Sequence, residues 1–358
     1  MNQQDSSVFP WHTGAWQLLQ DLRSRLPHAI LFHGTEGIGK TVFAERFAQS
    51  LLCEVPAANG YACGLCASCG WYSQYGHPDF RRVRPEVLED GDAAEGSDVD
   101  EAGDAADIKK ASKSTKAPSK DIKIDQIRAL SDFMNISTHR QGMRVIVLYP
   151  AEALNTAAAN ALLKTLEEPP PKTMFLLVSN SLDRLLPTIL SRCRKFALPM
   201  PSRQEALSWL QTQDVKDADI WLAEQGGAPL AAYDLAQSDT REVMDEFLRQ
   251  LARPSTEGAL KTAEKLQKTP VVQLVAWMQR WLYDVFSVKL SGRIRYYPRY
   301  QKELTALATQ VDAGRLMGAV KAANERRAIA EHPLSAKLFI EDMLLDYASL
   351  FSRKVSDG

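Results

Sequence analysis

Through the first two hundred residues the chain alternates between short, continuously apolar runs and longer stretches in which apolar positions recur at helical spacing. Ala29-Ile30-Leu31-Phe32-His33, Val145-Ile146-Val147-Leu148-Tyr149 and Met174-Phe175-Leu176-Leu177-Val178 have the length of strands and no polar face, which suits parallel strands covered on both sides. Each is followed by a helical pattern, as in Val42 to Leu52. That alternation predicts a doubly wound parallel sheet. From about Ser202 the strand signals stop and helical spacing takes over, with Val272, Val275, Met278, Leu282, Val285 and Phe286, then Leu338, Phe339, Met343, Tyr347 and Leu350. An α/β region followed by an all-helical one is expected.

A chain of 358 residues should hold two or three domains, since single cores rarely grow beyond about 250 to 300 residues. Its formal net charge of -1 argues against a free-standing electrostatic DNA binder, which would carry a basic face; protein partners fit better. Met1 to Gln20 has no signal-peptide pattern and no apolar run could span a bilayer, so a cytoplasmic protein without membrane contact is expected. Thiols there stay reduced, and the five cysteines point to metal binding or burial rather than disulfides. Residues 86–123 differ in character, acidic from Glu89 to Asp107 and lysine- and serine-rich from Lys109 to Lys120. Such a stretch buries too little apolar surface to offset its ordering entropy, and reads as a disordered insertion. A docking tail is its functional alternative.

Gly34-x4-Gly39-Lys40-Thr41 lies between the first strand and the helix that follows, as a phosphate-binding loop must. Backbone amides around Gly34, Gly37 and Gly39 cradle phosphates, Lys40 reaches the outer ones, and the Thr41 hydroxyl suits magnesium. ATP or ADP with magnesium is the expected ligand. The competing readings are a glycine-rich turn, or a loop kept in a chain that no longer needs nucleotide. Cys53-x9-Cys63-x2-Cys66-x2-Cys69 has the spacing of a closed, tetrahedral structural zinc site. An iron–sulfur cluster is the alternative, against which stands the missing Cys-Pro of ferredoxin runs; a redox pair fits four cysteines worse. Cys193 reads as a small buried hydrophobe, and His77-Pro78-Asp79 as a turn.

The run Asn160-Ala161-Leu162-Leu163-Lys164-Thr165-Leu166-Glu167-Glu168-Pro169-Pro170, followed by Thr188-Ile189-Leu190-Ser191-Arg192-Cys193, resembles the clamp-loader subunits of bacterial DNA polymerase III, and the delta prime type most. The resemblance spans about residues 9–352 outside the insertion, with its specific motifs before Pro199. It implies an AAA+ nucleotide-binding domain over 1–200 with a zinc module at 53–69, a small helical lid over 201–246 and a helical collar domain over 247–358. In motor subunits of that family an Asp-Glu pair ends the strand before the Asn160 helix, the Asp assisting magnesium and the Glu orienting water. Here those places fall on Tyr149 and Pro150. Glu152 lies two residues further on, where its side chain is re-aimed. The lid stretch Gly227-Ala228-Pro229-Leu230 has no sensor arginine, while Asn180, or alternatively Ser179, keeps the polar sensor position after the third strand.

The resemblance further implies that Arg192, in Ser-Arg-Cys, is presented in trans to ATP on the next subunit, where a guanidinium stabilises charge on the transferred phosphoryl group. An internal ion pair with Glu167 or Glu168 is the plainer reading. Together these imply a delta prime subunit that binds nucleotide without appreciable hydrolysis. Its partners would be gamma/tau and delta subunits in a hetero-pentamer, with the sliding clamp and primed DNA engaged through the complex. An ATP-hydrolysing motor subunit is the alternative. A zinc-dependent nucleic-acid adaptor is a third reading, disfavoured because no basic and aromatic surface stripe is evident.

Overall fold

A computed structural model describes residues 7–93, 118–135, 138, 142–238, 240–330 and 335–351. The chain divides at Met200 and Pro201 into two compact units. In the first, strands β1 (Ala29–His33), β2 (Phe80–Val83), β3 (Arg144–Leu148), β4 (Thr173–Ser179) and β5 (Arg194–Ala197) form one parallel sheet in the order β2-β3-β4-β1-β5. The continuously apolar strands β1, β3 and β4 are the central ones, buried along their lengths, whereas β5 is largely exposed at one edge. Helices α1 (Thr13–Asp21), α2 (Lys40–Leu52), α3 (Ala67–Ser73), α4 (Glu86–Ala93), α5 (Ile124–Asn135), α6 (Thr156–Glu167) and α7 (Pro187–Arg192) complete this unit. Residues of α5, α6 and α7 share one core with β1, β3 and β4.

The expected disorder over 86–123 is corrected at both ends. Glu86–Ala93 is helical, and Ile122 is fully buried and bridges to Leu154. The physical reason is Glu86, whose carboxylate accepts from the Ser119 N–H at 2.8 Å and from Lys123 Nζ at 2.6 Å. Residues 94–117, with most of the acidic run, lie outside the described residues.

The second unit contains α8 (Arg203–Thr212), α9 (Ala218–Glu224), α10 (Pro229–Gln237), α11 (Thr240–Ala252), α12 (Thr256–Leu266), α13 (Val271–Ser291), α14 (Gln301–Gln310), α15 (Ala313–Ile329) and α16 (Ala336–Ser349). Its buried apolar residues, from Ala206 to Tyr347, form one cluster. The stripe on α13 faces that core through Val275, Trp281, Leu282 and Val285. Trp281 Nε1 donates to Tyr347 Oη at 2.7 Å, and Tyr347 Oη donates to the Leu251 carbonyl at 2.9 Å, so the polar atoms of this packing are satisfied. No helix among the described residues is long and apolar enough to cross a membrane.

Candidate nucleotide site and four-cysteine module

The glycine-rich loop leaves the carboxyl end of central β1, where open α/β sheets hold their ligands. Gly39 caps α2 in the left-handed region, with φ 90°, and a Cβ there would sit 2.4 Å from the Phe9 ring. At Gly34 a Cβ would lie 2.8 Å from the Leu198 carbonyl oxygen. Both glycines are therefore demanded by close approach. Gly37 also has positive φ, at 76°. The first N–H groups of α2 have no acceptor within the helix, and with the helix dipole they favour an anion. Lys40 is 4 % exposed. Its Nζ donates to the Thr35 carbonyl at 2.6 Å, and burial lowers its pKa to about 8 against the pull of Glu36 and Glu152. Thr41 is half-buried in the first turn.

An aromatic group not anticipated from the sequence braces this loop. Phe9 stacks on Trp11 at 4.9 Å, and Trp11 Nε1 donates to the Ile38 carbonyl at 2.9 Å. His12 is fully buried and meets Phe43 edge-on at 5.3 Å. Both of its ring nitrogens lack a hydrogen-bond partner among the described residues. Burial first, then the charge of Lys40, holds its pKa at about 4. The available signal was the density of rings in Phe9-Pro10-Trp11-His12.

Tyr149 follows β3 and is tied to neighbouring side chains. Its Oη donates to Glu45 Oε1 at 3.3 Å and accepts from Arg84 Nη1 at 3.4 Å, while Arg82 Nε pairs with Glu45 at 2.8 Å. Burial, then Glu45, pushes its pKa up to about 12. Glu152 Oε1 accepts the Asn180 N–H at 3.0 Å. His33 pairs with Ser179 in the β1–β4 register, so Asn180 emerges beside Gly34. At the end of α7, Arg192 forms an ion pair with Glu167 and donates to the Thr188 carbonyl at 3.0 Å. That is the plainer contact considered for it, and the guanidinium remains about one-third exposed.

Cys53 caps the C-terminus of α2, and the sulfurs of Cys53, Cys63, Cys66 and Cys69 all lie within 4.8 Å of one another. Cys53–Cys66 and Cys63–Cys69 are each 4.0 Å apart, close to the edge of about 3.8 Å that a tetrahedron with metal–sulfur bonds of about 2.3 Å requires. Backbone N–H groups point at these sulfurs. Burial pushes the thiols of Cys53 and Cys69 up, whereas Leu65 at 3.5 Å and Cys66 at 3.3 Å donate to Cys63, and these bonds lower its pKa to about 6. Such donors favour thiolates, the form that binds metal, so the cluster can hold a metal ion. His77 stands outside it. Its Nδ1 accepts the Asp79 N–H at 3.0 Å and its other nitrogen meets Ser68 Oγ at 2.8 Å, while Ser68 Oγ donates to the Leu52 carbonyl at 2.6 Å. Cys193 is buried, as expected, and burial pushes its thiol up to about 11.

Two family models cover the chain: "DNA polymerase III, delta subunit" matches residues 12–202, and "DNA polymerase III, delta subunit, C terminal" matches 239–348. The DNA polymerase III subunit delta' of Pseudomonas aeruginosa is 34% identical over 293 residues, 80% of this chain and 79% of that protein. The chain belongs to the delta prime family of DNA polymerase III clamp-loader subunits. The delta' subunit of Haemophilus influenzae is 31% identical over 291 residues, 80% of this chain and 79% of its own length. Among solved structures, a gamma subunit-related protein of Thermotoga maritima is 16% identical, covers 94% of this chain and 99% of its own, and has a TM-score of 0.46. The AAA+ sheet domain and the helical C-terminal region of this delta prime family member accord with the sequence reading.

Proposed function

We propose that this chain is the non-hydrolysing, arginine-donating member of a cytoplasmic clamp-loader ring. It binds ATP or ADP at Gly34, Gly37, Gly39, Lys40 and Thr41 without appreciable turnover, with Thr41 serving magnesium and Asn180 beside the phosphates. Residues 201–246 act as the lid and 247–358 as the collar that joins gamma/tau and delta subunits in a hetero-pentamer. Arg192 exchanges Glu167 for the phosphates of a neighbour's ATP, and through the complex the sliding clamp is placed on primed DNA. Cys53, Cys63, Cys66 and Cys69 would hold zinc, which fastens the module and takes no part in phosphoryl transfer. The observation that carries the reading is the asymmetry of the cleft. The phosphate loop is formed, whereas Tyr149, where the family's motor subunits carry a carboxylate, is bound to Glu45 and Arg84.

The test uses the isolated chain and a reconstituted loader together. The chain alone should bind adenine nucleotide, lose it on Lys40→Ala, and show no steady-state hydrolysis above background. In the loader, Arg192→Ala should preserve subunit stoichiometry and slow turnover at the adjoining site by about a thousandfold, the scale of an arginine finger. Wild-type turnover by that loader would return Arg192 to a structural role. The motor reading has one observation in its favour: Glu152 Oε2 is enclosed without a hydrogen-bond partner among the described residues, and Glu152 is near enough to Lys40 to raise its pKa. Hydrolysis by the isolated chain that disappears in Glu152→Gln would establish that reading instead.

A further inference from the structure

Between Lys289 and Lys302 the sequence has five cations and no acid: Lys289, Arg293, Arg295, Arg299 and Lys302, with Tyr296, Tyr297 and Tyr300 among them. This in a chain of net charge -1 is a local concentration of positive charge. The structure shows how it is shaped. α13 ends at Gly292 in the left-handed conformation, φ 68°, and the chain turns back onto Asp284, whose buried carboxylate accepts the N–H groups of Arg295 at 2.9 Å, Tyr296 at 2.9 Å and Tyr297 at 2.7 Å. Tyr297 is fully buried beneath the loop. A charged group spent on three backbone amides is a costly anchor unless the loop's conformation matters.

The anchor holds an aromatic and basic surface in place. Tyr283 is 44 % exposed and meets the Tyr296 ring edge-on at 5.5 Å. The Arg295 guanidinium lies 5.4 Å from the Tyr296 centroid and that of Arg280 lies 6.0 Å away. Arg280 and Arg299 already have structural partners, Arg280 in the Glu224 carbonyl and Gln225, Arg299 in Glu224 and Asp245. Arg293 and Arg295 are exposed and make no ion pair among the described residues. Exposed Tyr283 against half-buried Tyr296, the Arg295 guanidinium over that second ring and exposed Arg293 two residues earlier in the same loop suit a polyanion that also carries flat rings. The basic and aromatic stripe thought missing from the sequence is therefore present. It is divided between the end of α13 and the loop, and only the fold back onto Asp284 joins its parts.

We propose that Tyr283, Tyr296, Arg293 and Arg295 form a binding surface for single-stranded nucleic acid, the arginines taking phosphates and exposed Tyr283 stacking a base. This surface is independent of the phosphate loop. An acidic protein segment would use the cations alone and leave the exposed ring without a purpose, and duplex bases are already stacked and unavailable to it. Contacts to two phosphates give a modest, salt-sensitive affinity, with a log–log slope of about -1.4 for a single strand.

The experiment is fluorescence anisotropy of a labelled oligothymidine with the full chain at low salt, in saturating ADP so that the phosphate loop does not compete for the strand. Arg293→Ala with Arg295→Ala should weaken binding at least tenfold and flatten the salt dependence. Tyr283→Ala should weaken it by about fivefold or more, the lower end of base–aromatic stacking, while Tyr283→Trp should retain it. Arg253→Ala, removing an exposed cation elsewhere on the same unit, should change nothing, and thermal melting checks that every variant is folded. Binding that survives the double arginine variant would overturn the proposal. So would a preference for duplex, or polyglutamate displacing the strand with no effect of Tyr283→Ala, which would assign the surface to an acidic protein.

Discussion

α2 carries a candidate site at each end, and different forces hold the two. At its N-terminus the loop is shaped by packing: Phe9, Trp11, Ile38 and Phe43 are buried around Gly39 and Lys40. At its C-terminus the module has little core of its own: its apolar cluster is Cys53, Ala62 and Cys69, and Leu65 at its tip is 93 % exposed. Ordering a residue costs about 1–2 kcal/mol, far more than so small a cluster returns for a loop of this length. One helix thus contrasts an end held by apolar burial with an end where coordination by the four cysteines would have to replace it. A metal that holds a loop together is part of the fold.

The largest expected effect breaks the module while sparing the loop. Cys66→Ser, or chelation of the metal, should remove about one zinc per chain, open residues 53–77 to proteolysis and lower Tm by roughly 5–10 °C. Ser68 and Tyr72 donate to carbonyls of Leu52 and Glu45, so the loosening should reach the last turns of α2 and stop short of Gly39. Nucleotide affinity should stay within about twofold of wild type. A variant that loses metal and nucleotide together would show that the two ends act as one unit, and iron in the elemental analysis would reject the zinc assignment.

The four cysteines and the phosphate loop were legible because their chemistry is written in spacing, and the central strands because burial on both faces leaves no polar position. What covers the loop was not legible. His12 is unremarkable between Trp11 and Thr13 until the fold closes Phe9, Trp11 and Phe43 around it. The ends of the acidic insertion escaped for the same reason, since Ile122 has no periodic neighbours and its pairing with Leu154 is long-range. Arg192 was legible in motif, but its choice of Glu167 over Glu168 depends on how α6 and α7 pack.

His12 supplies the intermediate effect, at the packed end of α2. Its pKa falls from 6.5 to about 4 on folding, so between those values the unfolded chain binds a proton that the folded chain refuses. Stability from this group is complete above pH 6.5 and declines as pH drops toward 4, by up to roughly 3 kcal/mol. His12→Leu should remove that part of the acid sensitivity. The measurement is urea unfolding of both chains at pH 7, 5.5 and 4.5, where protonation of the cysteines is common to both and cancels in the difference. Parallel stability curves would mean that the imidazole is protonated in the folded state and that packing alone does not govern this end of α2.

The smallest effect concerns Lys40, and it asks whether a loop shaped by packing still has to recruit its charge. Burial holds the lysine at about 8 and its ammonium on the Thr35 carbonyl. A bound phosphate would accept that ammonium and favour the charged form, so nucleotide binds the protonated loop more tightly and raises the pKa. Affinity should therefore be level below pH 7.5 and fall by roughly eightfold by pH 9, as the free protein gives up the proton. Calorimetry in buffers of different ionisation enthalpy should register uptake of a fraction of a proton on binding at pH 8 and almost none at pH 6.5. Lys40→Arg should keep a flat profile at lower affinity, because a guanidinium stays charged but does not fit the space of an ammonium. If wild-type affinity is unchanged from pH 7 to 9 with no proton uptake, Lys40 is already fully charged in the free loop, and packing at this end of α2 supplies the charge as well as the shape.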